Sequence, residues 1–306
     1  MPRCDKPVTP SRSRLYPARM EMEEMDLSRT SRKNAARFWQ DRHTAGLSLL
    51  HADFTCHDYA PHSHEALVVA VTEAGGAEFT SRGQTEEARE DVLLVFNPDE
   101  PHSGRMARSP RWRYRSLYME EQAIAEATRL AGLARPAYFT ANVFRDPELI
   151  AAFHDLHRAL ERGEDRLRQQ ELLAQGFAVL CSRYGSRRAA AEPEAGDRYL
   201  LQRLRPVMEE RHAERLTLDD LAAPLGLSPF QLIRQFRRAT GLTPHAYLTQ
   251  IRLRVALRHL RAGMPIAEAA VAAGFFDQSA LNRHFRRAYG ITPRQFVAAQ
   301  RGIRAA

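Results

Sequence analysis

Two textures divide the chain. From about residue 47 to 119 apolar positions come in short runs or alternate with polar ones, and beyond 120 they recur every three or four residues. The stretch 66–72 is a continuous apolar run broken by Gly75-Gly76, which reads as a buried strand. Segments 77–81 and 84–89 flank Arg82-Gly83, a hairpin turn. Segment 91–96 leads into the polar turn Asn97-Pro98-Asp99-Glu100-Pro101. Trp112, Tyr114, Ser116 and Tyr118 alternate with Arg111, Arg113 and Arg115, a period of two. Short strands at this spacing predict a small β-barrel or jelly roll.

Three helices are expected next. The first covers 120–131. The second starts at Asp146-Pro147, carries Leu149, Ile150, Phe153, Leu156 and Leu160 on one face, and stops at Gly163. The third covers 167–181, with Leu172, Leu173, Phe177 and Leu180 as its stripe. The short connection makes the last two antiparallel. Their apolar surface covers the barrel or is left for a second subunit, and both readings stay open. The expected organisation is a disordered tail (1–35), a barrel domain (36–181), a linker (182–198) and a helical domain (199–306). Met20 and Met22 are alternative starts.

The helical half contains one pattern twice. Ala222 and Gly226 recur 48 residues later as Ala270 and Gly274, and Phe236-Arg237-Arg238-Ala239 recurs 49 residues later from Phe285. Each copy reads as two short helices with a tight turn. The small alanines permit close approach, the glycines suit a left-handed turn, and Ser228 and Asp277 cap the second helix. Leu232 with Phe236, and Leu281 with Phe285, stand at i and i+4 and face inward. This is helix-turn-helix spacing, in which the second helix can enter a DNA major groove. Thr243-Pro244 opens a long helix that ends near Gly263 and joins the copies. Two recognition helices about 34 Å apart would reach successive major grooves.

Charge sharpens this picture. The net charge is +8; residues 197–306 hold 18 Arg, no Lys and 8 acidic residues, whereas the rest holds 27 basic and 29 acidic ones. The cationic excess therefore sits on the repeat-bearing half, as contact with a nucleic-acid backbone requires. Only Lys6 and Lys33 are lysine, so usage bias accounts for Arg over Lys but not for the thinning of acids. Cys4, Cys56 and Cys181 form no metal or disulfide pattern and suit a reducing cytoplasm. No apolar run approaches the roughly 18 residues of a membrane span, and no secretory leader is evident.

The paired blocks, with Gly-Leu-Thr-Pro244 and Gly-Ile-Thr-Pro293 closing them, resemble the DNA-binding domain of the AraC/XylS family of bacterial transcriptional regulators over residues 199–301. Pro61-His-Ser-His-Glu65, the strands after it and Pro98-Asp-Glu-Pro-His102 resemble the cupin-type effector domain often found upstream. The fold expected is α+β: an N-terminal cupin-like barrel with flanking helices, then an all-α domain with two helix-turn-helix motifs joined by a long helix. The resemblance implies a homodimer that binds a small-molecule effector in the barrel and double-stranded operator or promoter DNA through the helical half. It implies activation of transcription, with RNA polymerase as a further partner, in the cytoplasm and on the nucleoid when DNA-bound, with no membrane partner. Carried onto this chain, the base readers are Phe230, Gln231, Ile233 and Arg234 in the first recognition helix and Gln278, Ser279, Asn282 and Arg283 in the second. Arg237, Arg238, Arg286 and Arg287 near the helix ends would meet phosphates or solvent. Ile233 is also a candidate for partial burial.

His62, His64, His102 and Trp112 are the candidate effector-binding residues. Metal-binding cupins add a carboxylate a few residues after the His-x-His pair, and here Val68 and Val69 stand at those positions. No metal or other cofactor is therefore assigned. Three imidazoles still suit zinc or iron, and an effector-orienting or hydrogen-bonding role competes with that reading. His43, His51 and His57 lack partner spacing and are expected at the surface. The rival reading is a cupin-type metal-dependent enzyme with a DNA-binding tail. A DNA-alkylation repair protein would need clustered cysteines, which Cys4, Cys56 and Cys181 do not provide. No phosphate loop or nucleophile-base-acid set stands out, and no enzymatic activity is assigned.

Several Arg–phosphate contacts would each release counterions, so DNA affinity is expected to fall steeply with salt. Anisotropy titrations at 50 and 200 mM salt check this, and a flat dependence would remove DNA as the ligand of the basic half.

Overall fold

The structure, a computed structural model, describes residues 34–106, 109–186 and 195–304. The tail expected over 1–35 lies outside these but for Asn34 and Ala35, and Ala35 already opens a strand. Nine strands come first: β1 (Ala35–Gln40), β2 (Leu47–Phe54), β3 (Asp58–His62), β4 (Leu67–Gly75), β5 (Ala77–Ser81), β6 (Gln84–Ala88), β7 (Leu93–Phe96), β8 (His102–Arg105) and β9 (Trp112–Met119). Helix α1 (Glu121–Leu130), the short strands β10 (Tyr138–Phe139) and β11 (Val143–Phe144), and helices α2 (Pro147–Arg162) and α3 (Arg166–Tyr184) follow, then β12 (Gly185–Ser186). The remaining helices are α4 (Ala195–Glu210), α5 (Leu218–Ala222), α6 (Pro229–Thr240), α7 (Pro244–Arg261), α8 (Ile266–Ala272), α9 (Gln278–Tyr289) and α10 (Pro293–Arg304).

The barrel is made of two antiparallel sheets, one ordered β1-β2-β9-β4-β7-β11 and the other β3-β8-β5-β6. Strand β4 is apolar at every position from Leu67 to Val71 because both of its faces are covered. Val68 and Ala70 turn into the barrel, whereas Leu67, Val69 and Val71 pack under the helical layer with Phe153, Leu156, Leu173 and Phe177. Burying a large apolar side chain of this kind contributes about 1.5–3 kcal/mol. The alternation in β9 holds, and Trp112 and Tyr114 point into the barrel. Its arginine side is only partly solvated, however. Arg115 is 8% exposed, because α2 lies over it. It donates to Glu73 at 2.7 Å, to Glu161 at 2.5 Å and to His157 Nδ1 at 3.0 Å.

The linker expected at 182–198 is shorter at both ends. Helix α3 continues to Tyr184, since Arg183 and Tyr184 bond the Asp146 carboxylate, the N-cap of α2, at 2.7 and 2.9 Å. Gly185 and Ser186 then pair with Phe139 and Tyr138, and Asp197, inside α4, is buried.

In the helical half both recognition helices are capped as their sequence requires. Ser228 accepts from Gln231 N and Asp277 from Ala280 N, after Gly226 at φ 65° and Gly274 at φ 87°. Gly274 has a second reason to be glycine, because a Cβ there would lie 2.7 Å from Ala213 Cα and His212 O. Leu232, Phe236, Leu281 and Phe285 are at most 1% exposed. The additional residue of the second copy lies in its turn. Leu227 alone separates Gly226 from Ser228, whereas Phe275 and Phe276 separate Gly274 from Asp277. Phe275 packs inward at 7% exposure and Phe276 projects at 86%.

Barrel and helical half share one apolar core. Phe38 on β1 meets Phe296 on α10 with ring centroids 5.8 Å apart, and Gln295 donates to Ala36 O at 3.1 Å. Gly290, at φ 70° after α9, lies against Tyr59, leaving no room for a Cβ. Arg254 on α7 pairs with Glu65 at 3.2 Å and Asp99 at 3.5 Å, and Arg261 pairs with Glu120. No described helix is long and apolar enough to cross a membrane.

His157 is fully buried, and burial together with the adjacent Arg115 pushes its pKa down to about 3. The unfolded chain protonates this group near pH 6.5 while the folded chain does not, so stability is retained above that pH and lost as pH falls toward 3. Urea midpoints at pH 7.5, 6 and 5 should decline, and His157→Gln should flatten part of the decline.

Candidate nucleic-acid interface and effector cavity

On α6, Phe230 is 74% exposed, and Arg234 and Arg237 are exposed. Ile233 is half-buried, as its neighbours Leu232 and Phe236 dictate. Gln231 is exposed, but its side-chain oxygen accepts from Ser228 N at 2.9 Å and so closes a capping box. Arg238 bonds Asp197 at 2.6 Å and fastens α6 to α4. Both side chains therefore have a structural task beside the one the sequence suggested. On α9, Gln278, Ser279, Arg283, Arg286 and Arg287 are exposed and Asn282 is half-buried. The bridge α7 is anchored by Arg252, which donates to His212 O at 2.7 Å and Glu214 O at 2.9 Å. Thr243 caps its start.

The barrel holds a cavity of about 60 Å³. Trp112, Tyr114, Ser116 and Tyr118, the inward set of β9, line it together with Phe79, Phe96, His62, His64 and His102. Trp112 stacks on Tyr114 at 4.3 Å and donates to Thr72 Oγ1 at 3.1 Å, and Tyr114 and Tyr59 bond through their hydroxyls. The Ser116 hydroxyl is buried among them. A second cavity, of about 100 Å³, lies between the barrel and the helical half, with Phe38, Glu65, Arg254, Arg258, Tyr289 and Phe296 in its wall. His64 and Tyr118 line both.

The three histidines converge. Their rings are 4.4–5.3 Å apart, and His64 also stands 5.5 Å from Tyr289 of α9. Burial drives the pKa of all three down, His62 and His64 well below the ordinary value. Beside them, sequence reasoning missed Glu100. This buried carboxylate accepts from Ser81, Arg82, Asn97 and Asn142. Burial raises its pKa, but those four donors outweigh burial and hold it below the usual carboxylate value. The polar turn 97–101 is thus a built structure, and nothing in local spacing disclosed its distant partners.

His51 and His57 are not simple surface residues. His51 bonds Glu73 at 3.0 Å. His57 packs on Phe54 and Tyr59 at 4.5 and 4.4 Å, and burial lowers its pKa to about 4. His43 is exposed, as expected, and the described cysteines Cys56 and Cys181 are free.

Two family models match the chain: an AraC-like ligand binding domain over residues 44–177 and a helix-turn-helix domain over 221–299. Among relatives, the uncharacterized HTH-type transcriptional regulator YbfI of Bacillus subtilis is 29% identical over 220 residues, covering 71% of this chain and 79% of that protein. The HTH-type transcriptional activator RhaS of Salmonella schwarzengrund is 27% identical over 165 residues, 52% of this chain and 58% of that protein. Among solved structures, ToxT from Vibrio cholerae superposes with a TM-score of 0.49 at 10% identity, over 88% of this chain and 98% of that one. Fold, repeat and the two model matches define a DNA-binding regulator with a ligand-binding domain ahead of its helix-turn-helix pair. The chain belongs to the AraC/XylS family of transcriptional regulators.

A good bidentate side chain–base pair contributes about 1–3 kcal/mol of discrimination. Arg283→Ala should therefore weaken operator binding by roughly 10-fold or more while leaving random-sequence binding nearly unchanged. Equal loss on both DNAs would make Arg283 a phosphate contact. Arg238→Ala should instead lower the urea midpoint, because it strands the buried Asp197 carboxylate.

Proposed function

We propose that the protein is an effector-responsive transcriptional activator rather than an enzyme, acting as a homodimer in the cytoplasm and contacting RNA polymerase on promoter DNA. Base edges are read by Phe230, Ile233, Arg234, Gln278, Ser279, Asn282 and Arg283. Arg237, Arg286 and Arg287 supply phosphate contacts, and Gln231 and Arg238 contribute mainly by holding α6 in place. Activation is the reading favoured by the RhaS relative, which is named as an activator.

The effector occupies the barrel cavity between Trp112 and the three histidines. One observation carries this reading: His64 and Tyr118 belong to both cavities, and the outer cavity is closed by Tyr289 of the second recognition helix and Arg254 of the bridge. A ligand that moves His64 or Tyr118 thereby changes the surface on which α9 rests. It shifts operator affinity only by its difference in affinity for the two arrangements.

Selection of bound genomic fragments identifies the operator, and the neighbouring genes supply candidate compounds. A true effector should change full-length operator affinity about 5–150-fold, the usual range of such coupling. His62→Ala and Trp112→Ala should abolish that change and leave basal operator affinity intact. Retention of the response in both variants would place the effector elsewhere.

A further inference from the structure

We propose that His62, His64 and His102 form a three-imidazole binding site for a divalent transition-metal ion at the barrel mouth. This goes beyond the effector reading and does not depend on it.

The backbone brings the three rings together. His62 ends β3 and His102 opens β8, and the two stand opposite each other in the antiparallel register. Asp99 N donates to His64 O at 2.6 Å, which ties the segment after β3 to the polar turn before His102. One nitrogen from each ring then lies within 4.8 Å of the other two.

The tautomers follow from the neighbours. His62 Nδ1 stands 2.7 Å from Ala60 O and His102 Nδ1 stands 2.9 Å from Glu100 O. A carbonyl oxygen only accepts, so both Nδ1 atoms carry the proton and both Nε2 atoms present a lone pair. An outer N–H held by a backbone carbonyl is the arrangement that orients a metal-ligating imidazole. His62 Nε2 faces His64 Nε2 at 3.1 Å. Zinc–nitrogen bonds of about 2.0–2.1 Å in a tetrahedron set ligand nitrogens about 3.3 Å apart, so this pair already spans one edge. His102 keeps a ring nitrogen within 4.8 Å of both.

No described carboxylate completes the set. Val68 occupies the nearby barrel wall, Glu100 is committed to its four donors, and Glu65 is paired with Arg254. Imidazole ligands suit zinc, copper, iron and nickel. A neutral ligand set leaves the ion's double charge uncompensated. Its open position, facing the cavities, then takes water or an anionic oxygen.

The test uses the full chain, stripped with a chelator and titrated with Co²⁺ and then with competing Zn²⁺. The expected result is saturation at one Co²⁺ per chain, with a visible absorption band that Zn²⁺ bleaches. His102→Ala should weaken uptake at least 10–100-fold, and His43→Ala, at an exposed position outside the cluster, should not change it. Should His102→Ala fail to fold, His64→Gln at the half-buried mouth provides the same comparison. A native chain that shows no saturable uptake at micromolar metal overturns the site. So does uptake that survives both His102→Ala and His64→Gln.

Discussion

The contact between the barrel mouth and the C-terminal end of the second recognition helix is the constraint on which the rest depends. Tyr289 lies beside His64, Gly290 admits Tyr59 so closely that no side chain fits, and Phe38 meets Phe296 just beyond. Aromatic side chains bury large areas with defined geometry, so a seam built from them has few alternative packings. The polar rim, where Arg254 engages Glu65 and Asp99, adds orientation more than stability, since partly exposed ion pairs contribute at most about 1 kcal/mol. Barrel and reader therefore share one core.

Behind that seam lies a second layer of order. Glu100 is a carboxylate taken out of water, tolerable only because four side chains donate to it. Its backbone carbonyl simultaneously holds His102. The turn 97–101 thereby connects the Arg82 hairpin, the segment around Phe139 and Asn142, and the barrel mouth. Loss of Arg82, the charged one of the four donors, would leave the carboxylate unpaired in a poorly solvated place, at a cost of several kcal/mol.

Much of this was legible in the chain, for local reasons. Periodicity located β4, β5, β6 and β9. Capping residues located the starts of α2, α6, α7 and α9, and left-handed glycines marked turns, because each signal lies within a few residues of its consequence. The inward face of β9 likewise identified the aromatic wall of the cavity. What stayed hidden was long-range. Arg238 read as a phosphate or solvent contact, and its bond to Asp197 on α4 lay outside any local pattern. Arg115 read only as the polar phase of an alternation, and its partner Glu161 on α2 lay outside any local pattern. In each case the deciding partner was set by packing, to which spacing along the chain is blind.

The turn of the second repeat has a geometric consequence of its own. One residue added inside an α-helix rotates everything beyond it by about 100°. Placed within α9, such an insertion would have swung Leu281 and Phe285 out of the core and turned Asn282 and Arg283 away from their present direction. Placed between Gly274 and Asp277, it leaves the helix in phase and is absorbed as a bulge that thrusts Phe276 outward. The two copies can thus drift in length at this joint without losing the angular setting of either reading face. The joint acts as an expansion gap between two elements that must stay aligned.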